Sequence, residues 1–121
     1  MGYGRDVAQE LRKPGRDLRR AIPEVYQGFA ALSDAALASG ALDSKTKELI
    51  ALAIAVSTQC DGCIAALARG AAHRGATLEE AAEAIGVSFL LSGGPATVYG
   101  PRAFAAFREF YEEQHPSSEA A

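Results

Sequence analysis

The sequence predicts an all-α domain of about six helices, and three observations predict it. Apolar residues recur at helical spacing: Val25, Phe29, Leu32 and Ala36 fall at i, i+4, i+7 and i+11, one stripe of a 3.6-residue helix. No stretch keeps the period of two that marks a half-buried strand. Aromatic residues make up only 7% of the chain and Trp is absent, which favours closely packed, alanine-rich helices over a β-sandwich.

Taken in order, Tyr3 to Lys13 reads as a short helix stopped by Pro14-Gly15. Arg16 to Arg20 is charged and solvated. Pro23 opens a second helix, because its fixed φ suits the first helical position, and Gly40 is placed to end it. Asp43 or Ser44 caps a third. From Leu49 to Val56 that helix is apolar nearly all round, which demands burial on most sides, within the domain or between subunits. A break falls between Thr58 and Cys60. Asp61-Gly62 leads into a fourth helix ending near Arg74, with Gly75 just beyond it. Thr77-Leu-Glu-Glu80 is a capping box. It opens a fifth helix whose buried side is Leu78, Ala81, Ala82, Ile85, Phe89 and Leu90. Gly93-Gly94-Pro95 ends it. A sixth helix starts at Ala96, is kinked or restarted at Pro101, and carries Phe104, Phe107 and Phe110 or Tyr111 as its stripe. Residues 115–121 read as a disordered tail.

The 121 residues are read as one domain, residues 1–121, with its core at about 23–113. Apolar residues are 49% of the chain, enough to fill a core at this size. The formal net charge is −3, and no basic block marks a nucleic-acid or anionic-membrane partner. Met1 to Lys13 lacks the apolar region of a signal peptide, and Leu49 to Val56 is too short to span a bilayer. The expected location is therefore the cytoplasm. There, a cysteine pair two residues apart points to redox or metal chemistry more than to a structural staple.

That pair is Cys60 and Cys63. On a helix beginning near Cys60 the two lie on one face, within reach of a disulfide. The helix start carries partial positive charge and unpaired N–H groups, which stabilise a thiolate. A dithiol so placed can attack, form a mixed species and close on itself. Helix-dipole logic favours Cys60 as the attacking sulfur; Cys63 takes that role if Cys60 is the more buried and is coupled to Glu48. Zinc is disfavoured because no second cysteine pair exists and His73 and His115 are far off in sequence. No metal and no cofactor are expected. Glu48 precedes Cys60 by twelve residues. By spacing alone it is more often a solvated first-turn carboxylate, helped by the helix dipole. The alternative is a carboxyl drawn into the apolar interior, its pKa raised, able to accept a proton from a thiol.

Three runs together resemble one family: Leu42-Asp-Ser-Lys-Thr-Lys-Glu48-Leu-Ile-Ala-Leu-Ala, then Cys60-Asp-Gly-Cys63-Ile-Ala-Ala, then Gly75-Ala-Thr-Leu-Glu-Glu-Ala. They are similar to the carboxymuconolactone decarboxylase family, and within it to the alkylhydroperoxidase D-like branch, over roughly Pro23 to Phe110. The resemblance implies an all-α fold assembled as trimers or hexamers. It also implies thiol peroxidase or disulfide reductase activity, with Glu48 as proton relay and Cys60 and Cys63 as redox pair. The true decarboxylases of the family lack the paired cysteines.

The chain departs from the family pattern at one position. Where the motif carries a histidine four residues after the second cysteine, this chain has Leu67. An imidazole there would face Cys63 and exchange protons with it; leucine cannot. His73 lies ten residues past Cys63, about 15 Å along a continuous helix, and reads as a helix-end histidine set against the dipole. His115 falls in the tail.

The resulting expectation is a thiol-dependent oxidoreductase acting on a hydroperoxide or disulfide through Cys60, Cys63 and Glu48. A separate thiol would serve as electron donor. The partners are this substrate, that donor and further copies of the chain in a trimer or hexamer, with no nucleic acid and no membrane. Two other functions stay open: a decarboxylase-type or lactone-type enzyme using Glu48 as base, and a non-catalytic oligomer binding a small apolar ligand or a partner.

Overall fold

A computed structural model describes residues 2–116. Six helices follow one another: α1 Tyr3–Ala21, α2 Pro23–Leu37, α3 Ser44–Thr58, α4 Asp61–His73, α5 Leu78–Ser92 and α6 Ala96–Gln114. Among the described residues there is no strand, and no helix is long and apolar enough to cross a membrane.

Helix α4 is the centre, packing against α1, α3 and α6. Its buried residues are Ile64 and four alanines, Ala65, Ala68, Ala71 and Ala72. Such small side chains let neighbouring helices approach closely. Leu52 and Val56 from α3 and Phe107 and Phe110 from α6 fill the space around them. The local signals act as read. Asp43 accepts from the Thr46 N–H at the head of α3, and Thr77 and Glu80 form the reciprocal capping box of α5. Gly75, with φ of +89°, turns the chain after α4.

Several expected breaks are absent. Helix α1 runs through Pro14-Gly15 to Ala21. A mid-helix proline removes one N–H, but residues 9–14 are exposed, so water can satisfy the carbonyl left over. Pro101 lies inside α6, which does not restart there. Gly40 does not end α2: Ala38 does, in extended backbone, while the Gly40 N–H donates to the Leu42 carbonyl. The expected buried side of α5 is only half right, for Ala81 and Ile85 are buried but Leu90 is 83% exposed. Of the tail, residues 117–121 lie outside the described residues, and His115 closes α6 with its ring stacked on Tyr111 at 4.1 Å.

Helix α1 packs against this core, Tyr3 being half-buried on it. Gly4 packs so closely on α6 that a Cβ would lie 2.7 Å from the Ala106 Cβ. Gly2, at the N-cap of α1, has no side chain to cap it. Glu109 of α6 does so instead, accepting from the Gly4 and Arg5 N–H groups at 3.1 and 3.0 Å. Helix α2 is the opposite case. None of its residues is buried, and Val25, Phe29 and Leu32, its apolar stripe, are more than 60% exposed.

Candidate active site

Helices α3 and α4 form an antiparallel hairpin around a two-residue turn, Gln59 and Cys60. Gln59 takes the left-handed conformation, φ 56° and ψ 46°, and among the described residues it is the only non-glycine with positive φ. Its N–H donates to the carbonyl of Val56, and the Cys60 N–H to that of Ala55. The chain thereby reverses within this turn and delivers Cys60 to the amino end of α4.

Cys60 is the N-cap residue of α4, and its Sγ accepts from the Cys63 N–H at 3.3 Å. Sulfur thus occupies the position usually held by a Ser or Asp oxygen. Cys60 and Cys63 are joined as a disulfide with Cα atoms 5.2 Å apart, inside the normal range. Cys60 is half-buried and Cys63 is exposed. Helix α1 lies over this end of α4: Leu11 sits on Gly62, where a Cβ would be 2.9 Å from its Cδ1, and the Tyr3 hydroxyl donates to the Asp61 carboxylate.

Glu48 is not the solvated first-turn carboxylate that spacing alone favours. It is 6% exposed. Burial raises its pKa, with the nearby Arg74 charge pulling the other way. Its carboxyl rests on Gly70 of α4, where a Cβ would come within 2.7 Å of the Glu48 Cδ. The two ends of the expected relay therefore share one helix pair without touching. Gly70 is seven residues past Cys63, two turns or about 10 Å along α4 and on the same face. Leu67 stands between them on that face, half-buried and packed on the core.

His73 is exposed at the end of α4, beyond Gly70. Tyr3, Asp61, Gly70 and Arg74 were not singled out from the sequence. Gly70 alone left a signal: a glycine inside an alanine-rich helix costs about 1 kcal/mol relative to alanine, so it marks a close approach.

The helical chain that carries these groups also matches a known family. Residues 23–110 match the family model described as carboxymuconolactone decarboxylase. The chain belongs to the carboxymuconolactone decarboxylase family. It is 42% identical over 90 residues to uncharacterized protein 4 in the cox locus of Paracoccus denitrificans, covering 74% of this chain and 81% of that one. An uncharacterized protein of Cupriavidus necator is 34% identical over 98 residues, covering 81% and 87%. The crystal structure of an apo carboxymuconolactone decarboxylase family protein from Legionella pneumophila superposes with a TM-score of 0.85 at 39% identity, covering 89% of this chain and 96% of that one. The Cys60–Cys63 pair is compatible with the alkylhydroperoxidase D-like branch of this family.

The burial of Glu48 makes stability depend on pH. An acid whose pKa is raised by folding binds its proton more tightly in the native state. That contribution is complete below the ordinary value of 4.5 and is lost as pH rises through the folded value. Glu48→Gln is expected to flatten this dependence and raise the melting temperature at pH 7 by roughly a few °C. Thermal melts of both forms between pH 4 and 8 check this. A variant less stable than the parent at pH 7 would show that Arg74 outweighs the cost of burying the charge.

Proposed function

We propose that the chain is a dithiol–disulfide oxidoreductase that reduces disulfide substrates through Cys63 and Cys60. The observation that carries this reading is the pairing of an exposed Cys63 with a half-buried Cys60 whose sulfur already accepts a helix N–H. Access favours Cys63 for first contact, and thiolate stabilisation favours Cys60 as the resolving and leaving sulfur. The Cys63 thiolate attacks a substrate sulfur, the substrate S–S bond breaks, and one thiolate departs. The Cys60 thiolate then attacks the Cys63 sulfur and expels the second. The protein keeps the disulfide, having given up two electrons. A thiol donor attacks the exposed Cys63, and Cys60 leaves as the thiolate that the helix start stabilises; a second donor thiol then attacks the donor sulfur of the mixed disulfide, freeing Cys63 and leaving the donor as its disulfide.

Disulfides suit this site better than hydroperoxides because of Leu67. A departing thiol has a pKa of about 8.5 and leaves as the anion. The hydroxide expelled from a peroxide derives from an acid of pKa about 15.7 and needs a proton as it leaves. Leu67 can supply none, and the Glu48 carboxyl lies against Gly70, two turns from Cys63. On this reading the relay that the family resemblance implies lacks its middle member.

Helix α2 and the groove between α3 and α5 support an oligomer. The groove, about 410 Å³, is lined by Ile50, Ile54, Val87 and Leu91 among others, and Leu91 is 90% exposed. A helix with no buried residue gains little from packing within one chain. Further copies covering both faces would bury them, in a trimer or hexamer.

Three measurements test these statements. With an aromatic disulfide such as dithionitrobenzoate, Cys60→Ser is expected to accumulate a mixed disulfide on Cys63, and Cys63→Ser to react roughly tenfold more slowly; equal rates in both variants would refute the assignment. Leu67→His is expected to raise peroxide turnover about 10²-fold, and Glu48→Gln in that background to remove the gain. An unchanged turnover would take position 67 out of the proton path. Light scattering is expected to return a multiple of the 12.6 kDa chain mass, reduced by Leu91→Glu; a monomer at micromolar concentration would end the assembly proposal.

A further inference from the structure

Helix α1 precedes residues 23–110 matched by the family model, yet it reaches Asp61 and Gly62, the two residues between the cysteines. Asp61 stands between the two cysteines in sequence and is the first residue of α4. A carboxylate there has two courses. Free, it turns to the unpaired N–H groups at the helix start, the same donors that serve the Cys60 sulfur. Held elsewhere, it leaves them to the sulfur. The structure holds it elsewhere. Tyr3 of α1 donates its hydroxyl to Asp61 Oδ1, and the Cys63 N–H goes to Cys60 Sγ. Tyr3 is itself fixed from α6, where Arg102 lies 6.0 Å from its ring centroid and 4.9 Å from that of Tyr99. Leu11, two turns along α1 from Tyr3, sits on Gly62. The titratable and charged groups around this contact are Tyr3 on α1, Asp61 on α4, and Tyr99 and Arg102 on α6.

We propose that Tyr3 is a positioning residue for the Cys60–Cys63 pair: by holding the Asp61 carboxylate it reserves the N–H donors at the head of α4 for the Cys60 sulfur and so favours the reduced, thiolate-bearing state. This rests on the redox reading above. Burial and the hydrogen bond to Asp61 both raise the Tyr3 pKa, so the phenol keeps its proton and remains a donor throughout the pH range of thiol exchange. The effect on the disulfide follows. A resolving thiolate with its N–H donor is a better leaving group, and stabilising the reduced form makes a pair more oxidising.

The test is a double-mutant cycle in a dithiothreitol redox buffer, with the Cys60 thiol pKa followed in a Cys63→Ser background. Reduced dithiothreitol passes two electrons and two protons to the Cys60–Cys63 disulfide, leaving a dithiol and cyclic oxidised dithiothreitol. Tyr3→Phe is expected to raise the Cys60 pKa and shift this equilibrium toward the protein disulfide roughly three- to tenfold, the scale of one charge-assisted hydrogen bond. Asp61→Asn is expected to shift both quantities the other way. Adding Tyr3→Phe to Asp61→Asn is expected to change neither further. If Tyr3→Phe lowers the melting temperature but leaves pKa and equilibrium alone, or if its effect persists beside Asp61→Asn, the tyrosine only glues α1 down and the proposal fails. If the wild-type disulfide resists dithiothreitol altogether, the redox reading fails with it, and the two failures are told apart.

Discussion

The left-handed turn at Gln59 is the constraint on which the site depends. A non-glycine residue in that conformation carries a cost of order 1 kcal/mol, and the two hydrogen bonds that close α3 hold it there. The reversal has two consequences. It presents Cys60 to α4 as an N-cap, so the helix start and the sulfur are one feature. It also sets α3 antiparallel to α4, which places the Glu48, Leu52 and Ala55 side of one against the alanine-lined side of the other. A different turn at residue 59 would move the sulfur off the helix axis and shift the register of both helices.

That register decides what Glu48 can do. A carboxyl in an apolar interior is tolerated when space and a compensating charge exist, and here Gly70 makes the space and Arg74 the charge. The same packing holds the carboxyl two turns from the sulfur. A proton cannot cross that gap through leucine. With leucine, half-buried, at position 67, the proposed exchange between sulfurs needs no proton path from Glu48, whereas expelling hydroxide would need one.

What was legible in the sequence is what is decided locally. Asp43, the Thr77–Glu80 box and Gly75 act within one turn of themselves, so helix starts and stops at those points could be read. Pro14 does not stop α1, because a proline breaks a helix only where the lost hydrogen bond matters, and exposure is a tertiary property. The stripes of α2 and the far side of α5 were read correctly as apolar but not as buried, since periodicity tells which residues share a face and not what covers it. Spacing alone favours a solvated Glu48 and only the family resemblance points to a relay role; its burial depends on a glycine on another helix. Tyr3 and Asp61 are 58 residues apart, and no local pattern joins them.

The distribution of these contacts suggests how one hairpin can be tuned without being altered. Helices α3 and α4 carry every group that the redox reading requires, so substitutions there change the chemistry and the fold together. Helix α1 packs on both α4 and α6; it meets the head of α4 through Tyr3 on Asp61 and Leu11 on Gly62, and Glu109 of α6 caps its own start. Changes in α1 can therefore alter the electrostatics at the head of α4 while the N-cap geometry of Cys60, set by the turn at Gln59, stays as it is. On the redox reading, a helix held to both α4 and α6 can act on the sulfurs through Asp61 without replacing the turn that positions them.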